Sequence, residues 1–122
     1  MFDHIGLAVR DLAKTREFYT AALAPLGLQL HYDQDDVVAF GPPGKWALWF
    51  YGKGDGPTGV HIALKAATRA QVDAFYAAAI AAAGKDNGPP GLRPHYTPTY
   101  YGAFVFDPDG HNLEAVCYAA EA

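Results

Sequence analysis

The chain has 122 residues, 51% of them apolar, so it is long enough for one domain with a hydrophobic core and too short for two ordinary domains. Its formal charge of −4 is modest and both signs are scattered along the chain, which argues against a nucleic-acid partner. No apolar stretch approaches the length of a membrane span and the N-terminus shows no secretion signal, so we expect a cytoplasmic protein with no membrane partner.

An internal repeat organises the chain. Short motifs recur at a constant shift of 57 positions: His4-Ile5 as His61-Ile62, Phe18-Tyr19 as Phe75-Tyr76, Ala21-Ala22 as Ala78-Ala79, and Gly27 as Gly84. One offset across a strand, a helix and the following glycine is typical of a duplicated unit. The sequence therefore predicts a single domain, 1–122, made of two modules, 1–56 and 57–122, joined by the glycine-rich segment 52–59.

The first module opens with a strand in which Ile5, Leu7 and Val9 share one face. A helix follows, with Asp11 as its predicted N-cap, and it ends at the helix-breaking residues Pro25 and Gly27. Strand-like segments then appear at 37–41 and 46–51.

The second module repeats this order. Its first strand alternates in the same way, and its helix begins with a capping box formed by Thr68 and Gln71 and ends at Gly84. Strand-like segments at 101–106 and 111–118 flank the turn 107–110, whose Asp-Pro-Asp-Gly sequence predicts an antiparallel hairpin. A strand, a helix and then an antiparallel meander, twice over, predicts an α+β fold.

Two histidines and one glutamate stand at positions suited to a metal. His4 and His61 are equivalent in the two copies, and the alternation of each strand turns them away from the helices. Glu114 lies opposite the apolar face of the last strand and can point to the same cleft. Such a set suits a divalent transition metal with open positions. Alternatively, each histidine is a surface or hydrogen-bonded residue and Glu114 pairs with Lys65 or Arg10.

The motifs resemble those of the vicinal oxygen chelate superfamily, which includes glyoxalase, bleomycin-resistance proteins, fosfomycin-resistance enzymes and extradiol dioxygenases. The matching segments are DHIGLAV with DLAKTREFYTAALAPLGL, GVHIAL and FDPDGHNLEAV, and they span nearly the whole chain. The resemblance implies two βαβββ modules whose strands form a curled mixed sheet around a cleft. It also implies a divalent metal, Fe, Mn, Ni, Co or Zn, held by His4, His61 and Glu114. In the family the metal binds two adjacent oxygens of a small-molecule substrate and stabilises the anion that forms.

The sequence departs from the glyoxalase pattern in the first module. Glyoxalase-like members carry a fourth ligand, usually Glu, on the last strand of that module, where this chain has Leu48 or Trp49. This weakens a glyoxalase or epimerase assignment, because those reactions need a base beside a carbonyl. Thiol transferases of the family carry a threonine where Gly6 stands and a cation-binding loop that 98–102 lacks, and ring-cleaving members usually contain two such domains.

The segment 91–101 is the remaining candidate for the cleft. We predict that Arg93 binds an anionic group, that His95 or Tyr100 transfers a proton, and that Tyr101 contacts substrate. In the other interpretation Arg93 and His95 lie in a solvated loop and the two tyrosines open a half-buried strand. The predicted apolar walls of the cleft are Trp46, Trp49 and Phe50.

Two functions follow from these residues. The first is a small metal-dependent enzyme, a lyase, transferase or oxygenase acting on a small molecule with adjacent oxygens. The alternative is a non-catalytic protein that binds a drug or metabolite in the aromatic cleft, as bleomycin-resistance proteins do. The modules can pair within one chain or swap between two chains, as in many relatives, so we also expect a homodimer.

Overall fold

The computed structural model describes residues 2–55 and 60–120, and the predicted module boundary at 56 and 57 lies outside the described residues. The first half contains β1 (Ile5–Ala8), α1 (Leu12–Leu23), β2 (Gln29–Gln34), β3 (Val37–Gly41) and β4 (Leu48–Tyr51), with a short 3-10 helix, Ala24–Leu26, after α1. The second half repeats the order with β5 (His61–Lys65), α2 (Arg69–Ala81), β6 (Lys85–Leu92), β7 (Tyr101–Phe106) and β8 (Asn112–Cys117).

The strands form two four-stranded mixed sheets of equivalent topology. Their orders are β1-β4-β3-β2 and β5-β8-β7-β6, with β1 parallel to β4, β5 parallel to β8, and the other neighbours antiparallel. The predicted α+β class with two βαβββ units is therefore confirmed. In the described part of the chain no ladder joins β1 to β5, so the strands form two open sheets and not one continuous curled sheet.

Side-chain caps fix the start of both helices. The Asp11 carboxylate accepts a hydrogen bond from the Lys14 backbone N–H at 3.2 Å. Thr68 and Gln71 form the predicted capping box, in which each side chain accepts from the other residue's backbone N–H. Neither helix of the described ranges, at 12 and 13 residues, is long and apolar enough to span a membrane.

One hydrophobic core contains residues from both halves. The inner face of each sheet, defined as the face turned toward the helices, packs against them, and α1 also contacts α2. The outer face of each sheet therefore points away from this core. The largest fully buried aromatic and aliphatic members of the core are Phe18, Tyr19, Leu23, Phe40, Phe50, Phe75 and Leu113.

The turn between β7 and β8 joins the two halves through a buried carboxylate. Asp107 accepts hydrogen bonds from the backbone N–H groups of Asp109 and His111 at 2.9 and 2.8 Å. Its other oxygen accepts one from the hydroxyl of Tyr19, on α1, at 2.7 Å. Burial and the Asp107 charge raise the pKa of the Tyr19 phenol, which therefore stays a donor at neutral pH. The predicted turn is thus also a contact between modules.

Two adjacent residues end α2 for different physical reasons. The left-handed conformation that commonly follows a helix is taken by Ala83, with φ of 75°, and not by the predicted stop residue Gly84. A Cβ at Gly84 would lie 2.6 Å from Phe18 Cε1 and 2.7 Å from the Ala79 carbonyl oxygen. Gly84 is therefore needed for the close approach of α1, whereas Ala83 carries the backbone strain.

This division of roles gives opposite stability changes at neighbouring positions. Ala83→Gly should raise the free energy of unfolding by about 0.5–1 kcal/mol, because glycine removes the left-handed Cβ penalty at the expense of chain entropy. Gly84→Ala should lower it by roughly 1–3 kcal/mol through overpacking against Phe18. Urea unfolding of both variants measures these changes, and two changes of the same sign would contradict the assignment.

Candidate functional site

Glu114 is a buried carboxylate on the outer face of the second sheet. It lies on β8, opposite Ala63 of β5 and Phe104 of β7, and is 1% exposed. Its Oε1 lies 2.8 Å from Nε2 of His61, whose side chain is 52% exposed. Its Oε2 accepts a hydrogen bond from the Tyr100 hydroxyl. The structure therefore brings together His61 and Glu114, two of the three predicted ligands, and we call them the His61–Glu114 pair.

Tyr100 holds the second oxygen of this carboxylate in place. Its ring packs edge-on against Tyr96 and Tyr118, with centroids 4.9 and 5.4 Å away. A Cβ at Gly102 would lie 3.1 Å from the Tyr100 ring and 3.4 Å from Glu114 Oε2, so the missing side chain leaves room for this contact. Burial, followed by the hydrogen bond to Glu114, raises the pKa of the Tyr100 phenol, which therefore stays protonated at neutral pH and donates its hydrogen bond to Glu114.

The other predicted residues of the segment 91–101 have different surroundings. The Arg93 guanidinium lies 5.5 Å from the centroid of the Phe104 ring, next to Glu114 in the sheet register. His95 is exposed and packs against Tyr96, with the ring centroids 4.2 Å apart and the rings tilted. The proton-transfer role predicted for His95 has no support from a contact with the His61–Glu114 pair and stays a prediction.

Two predicted substrate contacts are corrected by strand alternation. Phe50 is fully buried in the core, with its ring 4.3 Å from that of Tyr19, on the opposite face of β4 from Trp49. Tyr101 faces α2, where its hydroxyl donates to Asp73 at 2.7 Å. Neither ring lies on an outer face, so the predictions that they line the cleft are wrong.

His4 does not reach the His61–Glu114 pair. It precedes β1, its side chain is 58% exposed, and its Nδ1 lies 2.8 Å from the Asp3 carboxylate. Within residues 2–55 and 60–120, no group of three or more His, Cys, Asp or Glu side chains is placed to hold a metal ion. The predicted set of three ligands is therefore not assembled by the described residues of one chain.

The sheet register identifies the first-module counterpart of Glu114. Gly6 of β1 pairs with Trp49 of β4, just as the equivalent Ala63 of β5 pairs with Glu114 of β8. An indole thus occupies the position at which the resemblance implies a fourth ligand in glyoxalase-like proteins. Its ring lies 5.9 Å from that of Tyr32 and 5.7 Å from that of Trp46, by centroids, and we call these three rings the aromatic face.

The sequence offered signals for some site residues that were not predicted. Phe104 and Gly102 alternate along β7 and so share the outer face with Glu114, but the strand had to be paired correctly with β8 to see this. Tyr32 joins the aromatic face because β2 lies beside β3, where Tyr32 pairs with Ala39. That placement depends on β2, which was not predicted from the sequence.

Two surface cavities lie away from the His61–Glu114 pair. One, of about 680 Å³, lies between α1 and the β7–β8 turn and includes Lys14 and Asp107. A second, apolar one of about 210 Å³ lies beside β1 and β5 and includes Ile5 and Ile62. Neither is lined by His61 or Glu114. These two cavities are therefore separate from the His61–Glu114 pair.

The donor atoms of the pair suit a divalent transition metal in type but not in number. One imidazole nitrogen and one carboxylate oxygen meet at hydrogen-bonding distance, and the carboxylate is oriented by Tyr100, as metal-ligating carboxylates usually are by a neighbouring group. Catalytic sites of this kind take at least three protein ligands. The described residues of one chain therefore supply part of a metal site.

Comparisons with known proteins agree with the topology. The sequence of residues 1–115 matches the family model of the Glyoxalase/Bleomycin resistance protein/Dioxygenase superfamily. A glyoxalase/bleomycin resistance protein from Albidiferax ferrireducens T118 is 29% identical with a TM-score of 0.81, and the match covers 96% of this chain and 98% of that chain. No curated protein is significantly similar in sequence.

Two more distant structures share the fold. The fosfomycin resistance protein FosX from Listeria monocytogenes, solved as a glutamate-to-glutamine mutant with Mn(II) and 1S,2S-dihydroxypropylphosphonic acid, is 23% identical with a TM-score of 0.71, covering 100% of this chain and 90% of its own. A lactoylglutathione lyase from Agrobacterium tumefaciens is 18% identical with a TM-score of 0.69, covering 96% and 92%. These likenesses concern the backbone arrangement.

Proposed function

The chain belongs to the glyoxalase/bleomycin resistance protein/dioxygenase superfamily, and from that premise we propose that it is a metal-dependent enzyme acting on a small molecule with two adjacent oxygens. The observation that carries the proposal is the His61–Glu114 pair, in which a carboxylate that is 1% exposed lies 2.8 Å from an imidazole nitrogen on an outer face. Burying a carboxylate in a sheet costs folding free energy unless the carboxylate is paired or binds a cation. The FosX structure with Mn(II) shows that the fold can carry such an ion.

We propose that a second copy of the chain completes the site with its own His4. The described residues of one chain supply only two ligands, and the outer faces of both sheets point away from the shared core. β1 supports this assembly, because within residues 2–55 and 60–120 it pairs with β4 alone, and three of its four residues are exposed and uncharged. Such an edge is a ready surface for another chain.

In this assembly the residues of one chain have separate tasks. A bound divalent metal would supply Lewis acidity, polarising the substrate oxygens and stabilising the developing anion. His61 and Glu114 would hold it, and Tyr100 fixes the orientation of the Glu114 carboxylate. Trp46 and Trp49 would contact the apolar part of the substrate. Because an indole occupies the fourth ligand position, the reaction does not use a carboxylate base from that strand.

Mixing two inactive variants tests the shared site. His4→Ala and Glu114→Ala chains, each deficient in metal, should regain metal binding when mixed, unfolded and refolded together, because one site of each mixed dimer has all its ligands. Random pairing restores about one site in four. Metal content is measured after dialysis against buffer, with His31→Gln as a control that should bind like the wild type.

Two outcomes would contradict the proposal. Wild-type protein that takes up no Mn, Fe, Co, Ni or Zn would exclude a metal enzyme. Metal binding that mixing does not restore, with both single variants folded, would exclude a site shared between two chains. Native mass spectrometry of the mixture, with one variant labelled with nitrogen-15, shows whether mixed dimers formed.

Removing the Tyr100 hydroxyl should weaken metal binding without unfolding the protein. Tyr100→Phe leaves Glu114 free to rotate, and the loss of such an orienting partner typically costs roughly 10–100-fold in metal affinity. Titration with Mn(II), followed by electron paramagnetic resonance, measures the affinity. Tyr96→Phe is the matched control. It removes the hydroxyl of a neighbouring tyrosine whose ring packs against Tyr100, and that hydroxyl makes no hydrogen bond to Glu114 in the described structure. Equal affinities in the two variants would contradict the orienting role.

The aromatic face favours a second candidate function, the binding of a drug or metabolite without turnover. Tyr32, Trp46 and Trp49 form a contiguous surface, and Trp46 is 43% exposed. An exposed aromatic surface of this kind often marks an interaction site. Under this alternative, ligand affinity is unchanged by removal of metal and by Glu114→Gln, which distinguishes it from the enzyme proposal.

A further inference from the structure

Arg93 presents a half-buried cation on the outer face of the second sheet. Its guanidinium lies over the Phe104 ring at 5.5 Å, and one of its N–H groups donates to the Pro89 carbonyl oxygen at 2.8 Å. Its backbone N–H donates to the Tyr100 carbonyl oxygen at 2.7 Å. The head group is therefore held by one hydrogen bond and by the Phe104 ring, and the Arg93 backbone is bonded to that of Tyr100, beside the strand position that carries Glu114.

Two glycines of β6 make the floor on which the guanidinium lies. A Cβ at Gly88 would lie 3.2 Å from one terminal nitrogen of Arg93, and a Cβ at Gly91 would lie 3.2 Å from the other. Side chains at these positions would push the head group off the sheet. This close approach accounts for glycine at both positions.

The positive charge of Arg93 is not neutralised by a carboxylate in the described ranges. The ion pairs formed by residues 2–55 and 60–120 include Arg16 with Asp33 and Lys45 with Asp3, but none includes Arg93. The adjacent Glu114 carboxylate is hydrogen-bonded to His61 and Tyr100 instead. A fixed guanidinium with one N–H engaged retains further donors in a fork that matches an oxyanion.

We propose that Arg93 binds an oxyanion of the substrate, so that the substrate is an anionic small molecule. This assignment rests on the proposed function for the location of the reacting oxygens, next to the His61–Glu114 pair. The carboxylate or phosphate-like group of the substrate lies on the Arg93 side of Phe104. Its binding fixes the orientation of the two adjacent oxygens. Neutral molecules of the same shape are poor ligands.

Anion binding to the metal-free protein tests this assignment independently of the enzyme proposal. Acetate and inorganic phosphate are the probes, and their dissociation constants are measured by calorimetry for the wild type and for Arg93→Met. We expect the variant to bind the preferred probe about tenfold or more weakly, because a charge-assisted hydrogen bond is lost. The preferred probe identifies the class of anion.

Arg69→Met is the matched control for the loss of a guanidinium. Arg69 also lies over an aromatic ring, at 5.1 Å from the Tyr101 centroid, but on the inner side of β7. The Arg69→Met variant should bind the anions like the wild type. Arg93→Lys, which keeps the charge but loses the fork, should have intermediate affinity, and Gly91→Ala should weaken binding by displacing the head group.

The results separate the two proposals. Equal anion affinities of wild type and Arg93→Met, or no anion binding by the wild type, would overturn the role of Arg93 even if metal binds. If the anion binds through Arg93 and no metal binds, the enzyme proposal fails while the anion site stands. Should Arg93→Met fail to fold, Arg93→Lys and Gly91→Ala decide between these outcomes.

Discussion

Glu114→Gln should abolish stoichiometric metal binding while leaving the protein folded. The amide is nearly isosteric, and its oxygen can still accept the hydrogen bond from Tyr100, so the buried position keeps most of its contacts. It no longer offers an anionic oxygen to a cation. We expect metal affinity to fall by more than the roughly 100-fold that the loss of an orienting partner can cause.

Metal content by mass spectrometry and thermal unfolding of the same samples measure both effects. Asp73→Asn is the matched control, because that carboxylate also accepts from a tyrosine hydroxyl, Tyr101, but on the inner side of β7. Glu114→Ala should in addition lose stability, since it leaves the Tyr100 hydroxyl without its acceptor. If Glu114→Gln bound metal as tightly as the wild type, Glu114 would not be a ligand.

Asp107→Ala should cause the largest loss of stability among the substitutions considered. Asp107 is 5% exposed and accepts three hydrogen bonds, from two backbone N–H groups of its own turn and from Tyr19. Its removal leaves a buried phenol and two turn amides without an acceptor. The expected cost is about 3 kcal/mol or more, which corresponds to a decrease in Tm of roughly 10 °C or more for a domain of this size.

A double-mutant cycle with Tyr19→Phe isolates the contact between the modules. Tyr19→Phe removes only the hydroxyl, so it should cost less than Asp107→Ala, and the double variant should be more stable than the sum of the single changes predicts. Urea unfolding of the four proteins gives the coupling free energy. Additive costs would show that Asp107 acts only within its own turn and not between the two halves.

The sequence predicted local structure well where neighbouring residues determine it. The caps at Asp11 and Thr68 and the turn at 107–110 depend on residues within four positions of each other, and the structure has all three. The meeting of His61 with Glu114 was also predictable, because both belong to one module and alternation fixes their common face. The α+β class followed from the repeated element order.

Two of the four edge strands, β2 and β6, were not predicted. β2 contains Gln29, Asp33 and Gln34, and β6 contains two prolines, so neither shows the alternation or composition of a buried strand. Both lie at the end of a sheet, where one side of the backbone needs no partner and proline is tolerated. The register of β6 is also irregular around Gly88.

The errors at the site have two sources: the alternation of side chains along a strand was misapplied, and the packing between the two halves was not predictable. Phe50 and Tyr101 were grouped with their sequence neighbours Trp49 and Tyr100, although adjacent strand residues face opposite sides. That mistake was avoidable from the sequence. The position of His4 relative to the His61–Glu114 pair could not be predicted from the sequence, because the repeat specifies equivalent positions but not which faces of the two modules meet.

The position of Trp49 on the outer face of β4 has a practical consequence for observing this protein. Both tryptophans of the chain, Trp46 and Trp49, lie in the aromatic face, with ring centroids 5.7 Å apart. Intrinsic fluorescence excited at the red edge of the indole band is therefore a reporter of that single surface. Metal added to isolated chains should leave this emission unchanged. In a pair of chains whose aromatic face covers the partner's Glu114, the same addition should change the emission, so one optical titration reports occupancy and assembly together.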